Sequence, residues 1–235
     1  MEISHYKTLR QVENFHWWFV TKRSLVAKLI PKEARSVLDV GAGTGAFVEY
    51  LLSLGYDASG IEQSDLGLKY AHKSRLPVKH GNSNHILERD NQFDCVTCID
   101  VLYHKKVNTD KSLREMLRVL KPGGTLIVFD CAFNWLKGPH DLEVHARERF
   151  TSKYLKNLIS KAGGKIRYST YCYFLLFPII ALARIFEKFT GAHNRITTPL
   201  PLFNLIIKMI MKIEISTIPN ISYPWGSSII VVATK

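Results

Sequence analysis

The stretch Val37-Leu38-Asp39-Val40-Gly41-Ala42-Gly43-Thr44-Gly45 decides the fold. It opens as a short, mostly apolar run with β-branched residues, the pattern of a buried parallel strand. It closes on three glycines at alternate positions. Ala46-Phe47-Val48-Glu49-Tyr50-Leu51-Leu52 follows, with apolar residues at helical spacing. The reading is strand, tight turn, helix. Glycine admits unusual backbone angles and lets a ligand approach the main chain without meeting a Cβ. Free amides at the following helix start are expected to face that ligand.

The glycines alone leave the ligand open. Gly41-x-Gly43-x-x-Ala46 also fits the dinucleotide-binding pattern, so NAD, FAD and S-adenosylmethionine all remain. The next strand, Tyr56-Asp57-Ala58-Ser59-Gly60-Ile61, leads to Glu62. That is about 20 residues past the loop, the offset of an acid that binds ribose hydroxyls. NAD and S-adenosylmethionine each carry a ribose, so Glu62 indicates a nucleoside without choosing one.

The wider sequence adds Phe93-Asp94-Cys95-Val96-Thr97-Cys98-Ile99-Asp100-Val101-Leu102-Tyr103-His104. It also adds Arg114-Glu115-Met116-Leu117-Arg118-Val119-Leu120-Lys121-Pro122-Gly123-Gly124. In register with the glycine loop and Glu62, these resemble the class I S-adenosylmethionine-dependent methyltransferases, over roughly residues 15 to 235. The opening His16-Trp17-Trp18-Phe19 with Lys22-Arg23 looks like a bacterial subgroup found with polysaccharide, lipid and secondary-metabolite pathways.

The resemblance implies S-adenosylmethionine as methyl donor and S-adenosylhomocysteine as product. Gly41, Ala42 and Gly43 would hold the methionine part, and Glu62 with Gln63 the ribose. Asn82 and Ser83 would sit by the adenine. Asn82 stands where Asp is common, but its amide oxygen can accept a bond from an amine. Asp100 and Val101 would lie beside the adenosine and the transferable methyl. Trp18 would form an apolar wall, and Arg23 or Lys22 would pair with the cofactor carboxylate, for which Arg has the better geometry.

The stretch at Asp100 is not Asn/Asp-Pro-Pro-Tyr, so that signature of amino-group methylation is absent. Nor is it the Glu-x-x-Glu-His pattern of magnesium-assisted relatives, because Tyr103 replaces the middle acid. Asp100 with His104 makes a poor magnesium site, and no metal is expected.

A chain of 235 residues with 46% hydrophobic content suits one α/β domain with additions over 1–235. The four cysteines show no disulfide framework. Cys95 and Cys98 lie three apart in an apparent strand and so face opposite sides, which suits buried thiols. The opening is polar and charged, without a signal-like segment, so a cytoplasmic protein is expected. The formal charge of +12 suits an anionic membrane surface, nucleic acid or acidic substrates. Scattered basic residues, with no arginine-rich tail, disfavour nucleic acid.

In chain order, residues 1–33 read as one or two amphipathic helices, a lid over the cofactor. From 37 to 135 strand and helix alternate, which implies a parallel sheet with right-handed crossovers. Strands are expected near 36–40, 57–61, 77–80, 94–99 and 125–130, and helices near 45–54, 65–72 and 111–120. The Cys131–Phe150 stretch is the candidate substrate loop. Deprotonating a hydroxyl or an acidic carbon for methyl transfer calls for a base, and histidine suits neutral pH. His140 with Asp141, His145, and His104 at the methyl-proximal strand end are the candidates. Arg147-Glu148-Arg149 splits the basic pair that relatives carry. A capped helix over 151–163 and a strand near 165–173 follow. Tyr171–Ala183 and Leu202–Ile213 are apolar, separated by a polar stretch from Lys188 to Pro201. They are read as two amphipathic helices, an insertion at about 175–214. A last strand near 227–234 is expected antiparallel to its neighbour.

The expected architecture is a Rossmann-like α/β fold with a mostly parallel seven-stranded sheet. It has helices on both faces, an N-terminal helical lid and the helical insertion before the last strand. The expected activity is methyl transfer to a small-molecule or lipid-linked acceptor. The insertion would pack on the sheet, form a homodimer contact, or cover the acceptor pocket and touch the inner membrane face. Two rivals remain: an NAD-dependent oxidoreductase and a non-catalytic binding partner. The oxidoreductase lacks an obvious Tyr-x-x-x-Lys here.

Overall fold

The computed structural model describes residues 3–190 and 198–235; the side chains of residues 3–5, 7, 8 and 140 are outside that description. The strands are β1 (Ser36–Val40), β2 (Asp57–Glu62), β3 (Val78–His80), β4 (Phe93–Ile99), β5 (Leu120–Cys131), β6 (Lys165–Cys172) and β7 (Ser228–Thr234). The helices are α1 (Ile3–Val12), α2 (Trp17–Lys28), α3 (Ala46–Ser53), α4 (Asp65–Lys73), α5 (Thr109–Val119), α6 (Pro139–Glu143), α7 (Ser152–Lys161), α8 (Phe177–Thr190) and α9 (Pro201–Thr217).

The sheet order is β3-β2-β1-β4-β5-β7-β6. Strands β1 to β5 pair in parallel, and β7 enters antiparallel between β5 and β6. The order reverses between β1 and β4, so a crevice opens at the carboxyl ends of those two strands, where open α/β sheets take ligands. The strands are apolar on both faces because helices cover both. Val37, Cys95 and Ile127 face a core shared with Val26, Val48 and Met211. Leu38, Val96 and Leu126 face one built with Leu113, Met116 and Leu155. Neighbouring residues alternate between the two cores, as the strand period requires. Cys95 and Cys98 fall on opposite sides, both fully buried, and burial pushes both thiols up. They are packing residues.

Two boundaries differ from expectation. β5 begins at Leu120, ahead of the expected start near 125, so Pro122-Gly123-Gly124 lies inside an irregular strand. Leu120 already pairs with Phe93, and the register shifts before Cys95 meets Thr125. The apolar run from Tyr171 is divided. Tyr171 and Cys172 complete the ladder with Ile229 and Ser228, and the helix starts only at Phe177, running on to Thr190. Apolarity alone does not separate a buried strand end from a helix start.

Candidate functional site

The glycine loop sits at the switch point. Gly41, Gly43 and Gly45 have φ of 82°, 57° and 82°, the left-handed region that suits glycine. Its amides are not bare. Those of Gly41 and Ala42 donate to the Ile61 carbonyl at 2.8 and 3.0 Å, and that of Gly45 to Ala42 at 2.8 Å. The Gly43 amide donates to Glu62 Oε2 at 2.8 Å, while Glu62 Oε1 accepts from the Ser64 amide at 2.7 Å. What the loop offers a ligand is open space: a Cβ on Gly43 would meet nothing within 4 Å. Glu62 is pinned by these two bonds, yet a carboxylate has about four lone-pair sites. It can hold the loop and still accept from hydroxyls. Gly67, in α4, backs the loop so closely that a Cβ there would lie 2.7 Å from the Gly43 carbonyl oxygen.

The N-terminal helices close over this loop. Glu13, 4% exposed, accepts from Thr44 Oγ1 at 2.6 Å and from Arg10 at 2.8 Å. Arg10 also reaches Ser74 at 2.9 Å. Tyr6 is buried beside Glu62; burial first, and the Glu62 charge second, raise its phenol pKa. Arg23 donates to the Glu13 carbonyl at 2.7 Å and reaches the Ala46 carbonyl at 3.5 Å. It thereby ties α2 to the end of α1 and the start of α3. Lys22 takes the deeper position, buried and paired with Asp100, its ammonium 4.8 Å from the centre of the Trp18 ring. Trp18 is stacked on Tyr173 at 4.4 Å.

At the end of β4, Asp100 has φ of 54° and its amide donates to the Phe129 carbonyl at 2.8 Å. Val101 is buried and packs under Gly41. Asp130, fully buried, accepts from the Leu102 and Cys131 amides at 3.0 and 2.8 Å. Burial, then the Asp100 charge, push its carboxyl well up. Among the described residues, Asp100, Asp130 and Cys131 group within 4.8 Å. Lys22 already supplies their cation, and burial favours the protonated forms of Asp130 and Cys131.

Asp39, on β1, accepts from Thr97 Oγ1 at 2.8 Å and is otherwise enclosed. Burial pushes its carboxyl up to about 7, against the Thr97 bond that lowers it. A raised folded pKa contributes stability that is whole below the unfolded value near 4. It is lost as pH rises through the folded value near 7. Asp39→Asn keeps an oxygen for Thr97 and removes this dependence. Between pH 5 and 8 the native chain should therefore lose about 2–3 kcal/mol more stability than the variant. Urea unfolding at the two pH values measures the difference; parallel losses would show that Asp39 does not titrate in this range.

The other candidates spread around the crevice. Asn82 turns its oxygen onto the Asn84 amide at 2.8 Å, as in an Asx turn. Ser83 accepts from Ser112 Oγ at 3.0 Å, and Gln63 is exposed. His104 Nδ1 contacts the Val144 carbonyl at 2.8 Å, so Nδ1 carries the proton and Nε2 is the basic atom. Burial lowers its pKa and keeps the ring neutral. His145 lies on the exposed side of the loop with φ of 54°. His140 falls in α6, its side chain outside the described residues.

The expected pairing of His140 with Asp141 involves a side chain outside the described residues; what is described is the other side of Asp141. Asp141 takes a two-pronged grip on Arg149, at 2.8 and 2.9 Å, with both residues buried. Arg147 donates to the Val107 carbonyl at 3.0 Å and to Thr109 Oγ1 at 2.7 Å. The two arginines staple the Cys131–Phe150 stretch. Sequence reasoning missed Tyr6, Glu13, Thr44, Tyr173 and Asp130. Only Asp130 carried a signal, a lone acid closing an apolar strand.

A methyltransferase domain model matches residues 38–128. The demethylmenaquinone methyltransferase of Paenarthrobacter aurescens is 36% identical over 110 residues, 46% of this chain and 43% of that protein. The ubiquinone biosynthesis O-methyltransferase of Rickettsia bellii is 32% identical over 97 residues, 39% and 40% of the two chains. The chain thus spans about half the length, or less, of the curated relatives it matches. The crystal structure of a Thermotoga maritima S-adenosylmethionine-dependent methyltransferase, described as a possible histamine N-methyltransferase, superposes with a TM-score of 0.65. It is 21% identical, covering 99% of this chain and 95% of that one. Residues 38–128, from β1 into β5, thus match a methyltransferase domain, and the fold along the described chain is the one seen in S-adenosylmethionine-dependent methyltransferase structures.

Proposed function

We propose that the protein transfers a methyl group from S-adenosylmethionine to a small-molecule or lipid-linked acceptor, without a metal ion. The observation that carries this reading is the cradle of Gly43, open on its ligand side, with Glu62 fixed at its rim. When bound, the cofactor supplies an electrophilic methyl on a sulfonium. Glu62, with Gln63 beside it, receives the ribose hydroxyls; Asn82 and Ser83 border the adenine; Asp100 and Val101 line the floor. Gly41, Ala42 and Gly43 shape the methionine end. Arg23 and Lys22 are the candidates for the cofactor carboxylate; Arg23 would exchange its bond to the Glu13 carbonyl for it, and Lys22 would have to share it with Asp100. Trp18, with Tyr173, walls off water.

His104 is the favoured base among the three histidines. Its Nδ1 is committed to Val144, so neutral Nε2 can accept a proton from a hydroxyl or an acidic carbon. His140 and His145 remain the alternatives. Relatives named for demethylmenaquinone and ubiquinone biosynthesis favour an aromatic, lipid-linked acceptor. A bacterial polysaccharide or secondary-metabolite acceptor is the second choice. A lipid-linked acceptor would bring a single-domain cytoplasmic protein to the inner membrane face, or to a homodimer that shields the apolar helices. Among the described residues no helix is long and apolar enough to cross a membrane.

Calorimetry with S-adenosylhomocysteine tests the cradle. The native chain should bind, and Glu62→Ala should bind about a hundredfold more weakly, since two hydrogen bonds to a charged group are lost. NADH should give no heat. Equal affinity in a folded Glu62→Ala variant, or tight binding of NADH alone, would sink the assignment. Tight cofactor binding with no labelled methyl entering any quinone-precursor or lipid fraction would favour a non-catalytic partner.

A further inference from the structure

Helices α8 and α9 leave large apolar side chains in water. On α8, Leu182, Phe186 and Phe189 recur at helical spacing, with Phe189 86% exposed. On α9, Leu202, Met209 and Ile213 do the same, with Leu202 70% exposed. Scattered single residues of this kind are ordinary; runs along two helix faces are not.

The charges on these helices are sorted by sign. Their acids, Glu187 and Glu214, are 5% and 0% exposed. Glu187 is held by Arg184 at 2.9 Å, and Glu214 accepts from the Tyr173 and Leu175 amides at 2.6 and 3.1 Å. The lysines point the other way: Lys188 and Lys212 are exposed and Lys208 is half-buried. Solvent therefore meets apolar groups and positive charge, on a chain of net charge +12.

We propose that the exposed faces of α8 and α9 dock the protein on an anionic lipid bilayer, lying in the interface. An apolar helix face flanked by lysines is the combination such surfaces bind. A symmetric dimer through the same patch would instead set lysines of one copy against those of the other, because a two-fold contact uses the same surface twice. Both helices also connect to the site. α9 holds the lid: Asn204 accepts from the Trp17 amide at 2.7 Å and donates to the Phe15 carbonyl at 2.9 Å. α8 holds the substrate loop: Phe177 packs edge-on against Trp135 at 6.0 Å, and Lys188 donates to the Trp135 carbonyl. Docking would thus bring the lid and the substrate loop to the lipid surface. The inference rests on the lipid-linked reading above for its purpose only. Vesicle binding is read without turnover, so the two fail separately.

The test is flotation of the full chain with vesicles of phosphatidylcholine alone and with phosphatidylcholine plus phosphatidylglycerol. The native chain should bind the mixed vesicles and release in high salt. A Phe189→Ser, Leu202→Ser variant should bind at least about tenfold more weakly. A Lys208→Gln, Lys212→Gln variant should lose about thirtyfold on mixed vesicles only. Far-UV circular dichroism and S-adenosylhomocysteine binding should be unchanged in both. Failure of the folded native chain to bind mixed vesicles overturns the proposal. So does a stable dimer in sedimentation that the serine variant dissociates while vesicle binding stays the same.

Discussion

Asp141→Ala is expected to lower stability by about 3–5 kcal/mol, the cost of leaving a buried charge without its partner. Asp141 and Arg149 are 5% and 7% exposed and meet through two bonds. Burial works against the Asp141 charge, yet Arg149 keeps its carboxyl below the usual range. Removing the carboxylate leaves a guanidinium with the Ala132 carbonyl at 3.3 Å as its remaining named acceptor. It also frees the Gly138 amide, which donates to Asp141 Oδ2 at 2.8 Å. Replacing both members, Asp141→Ala with Arg149→Met, should recover part of the loss, because the orphaned charge goes with its partner. Guanidinium unfolding of the two variants decides it. A loss under about 1 kcal/mol in Asp141→Ala would mean water reaches the pair and the staple is weak.

Gly41→Ala is expected to cost about 2–5 kcal/mol and to abolish cofactor binding. A Cβ at Gly41 would lie 2.3 Å from Val101 Cγ2, and φ is 82°. Left-handed backbone costs an ordinary residue about 1–2 kcal/mol, and overpacking about 1–3 more. Val101 cannot yield freely, since it belongs to the buried core below the loop. Gly43→Ala is the informative contrast. Its Cβ meets nothing within 4 Å, so the backbone cost of about 1–2 kcal/mol stands alone. If the open side is where the cofactor lies, Gly43→Ala should lose S-adenosylhomocysteine affinity with little loss of stability. Gly41→Ala should lose both. Unchanged affinity in Gly43→Ala would move the cofactor away from the loop.

The parallel core was legible because its signals are local. Strand runs, most of them apolar, alternate with helical patterns, and chain handedness leaves few ways to arrange them. Glu62 was legible for a similar reason: a short strand fixes the offset between loop and acid. The grip of Asp141 on Arg149 was not legible, because its neighbour in sequence, His140, suggested a different pair. Its partner in space, Arg149, comes from the other side of the same loop. Where Lys22 and Arg23 point was not legible either, since neighbours on a helix point about 100° apart. Which of Lys22 and Arg23 reaches Asp100 depends on how α2 rotates on the sheet.

The sequence by itself determined the strand–glycine–helix unit, the alternation of strands and helices, and the acid at the rim. Each follows from periodicity, backbone freedom or spacing along a single segment. Only the tertiary structure decided what Glu13, Lys22, Asp130 and Tyr173 do, and which helix faces stay in water. Those assignments depend on segments far apart in the chain meeting in three dimensions: α1 on the glycine loop, α2 on Asp100, and α9 beneath the lid. No local pattern encodes such a meeting, because it is settled by which surfaces the whole core leaves to be covered.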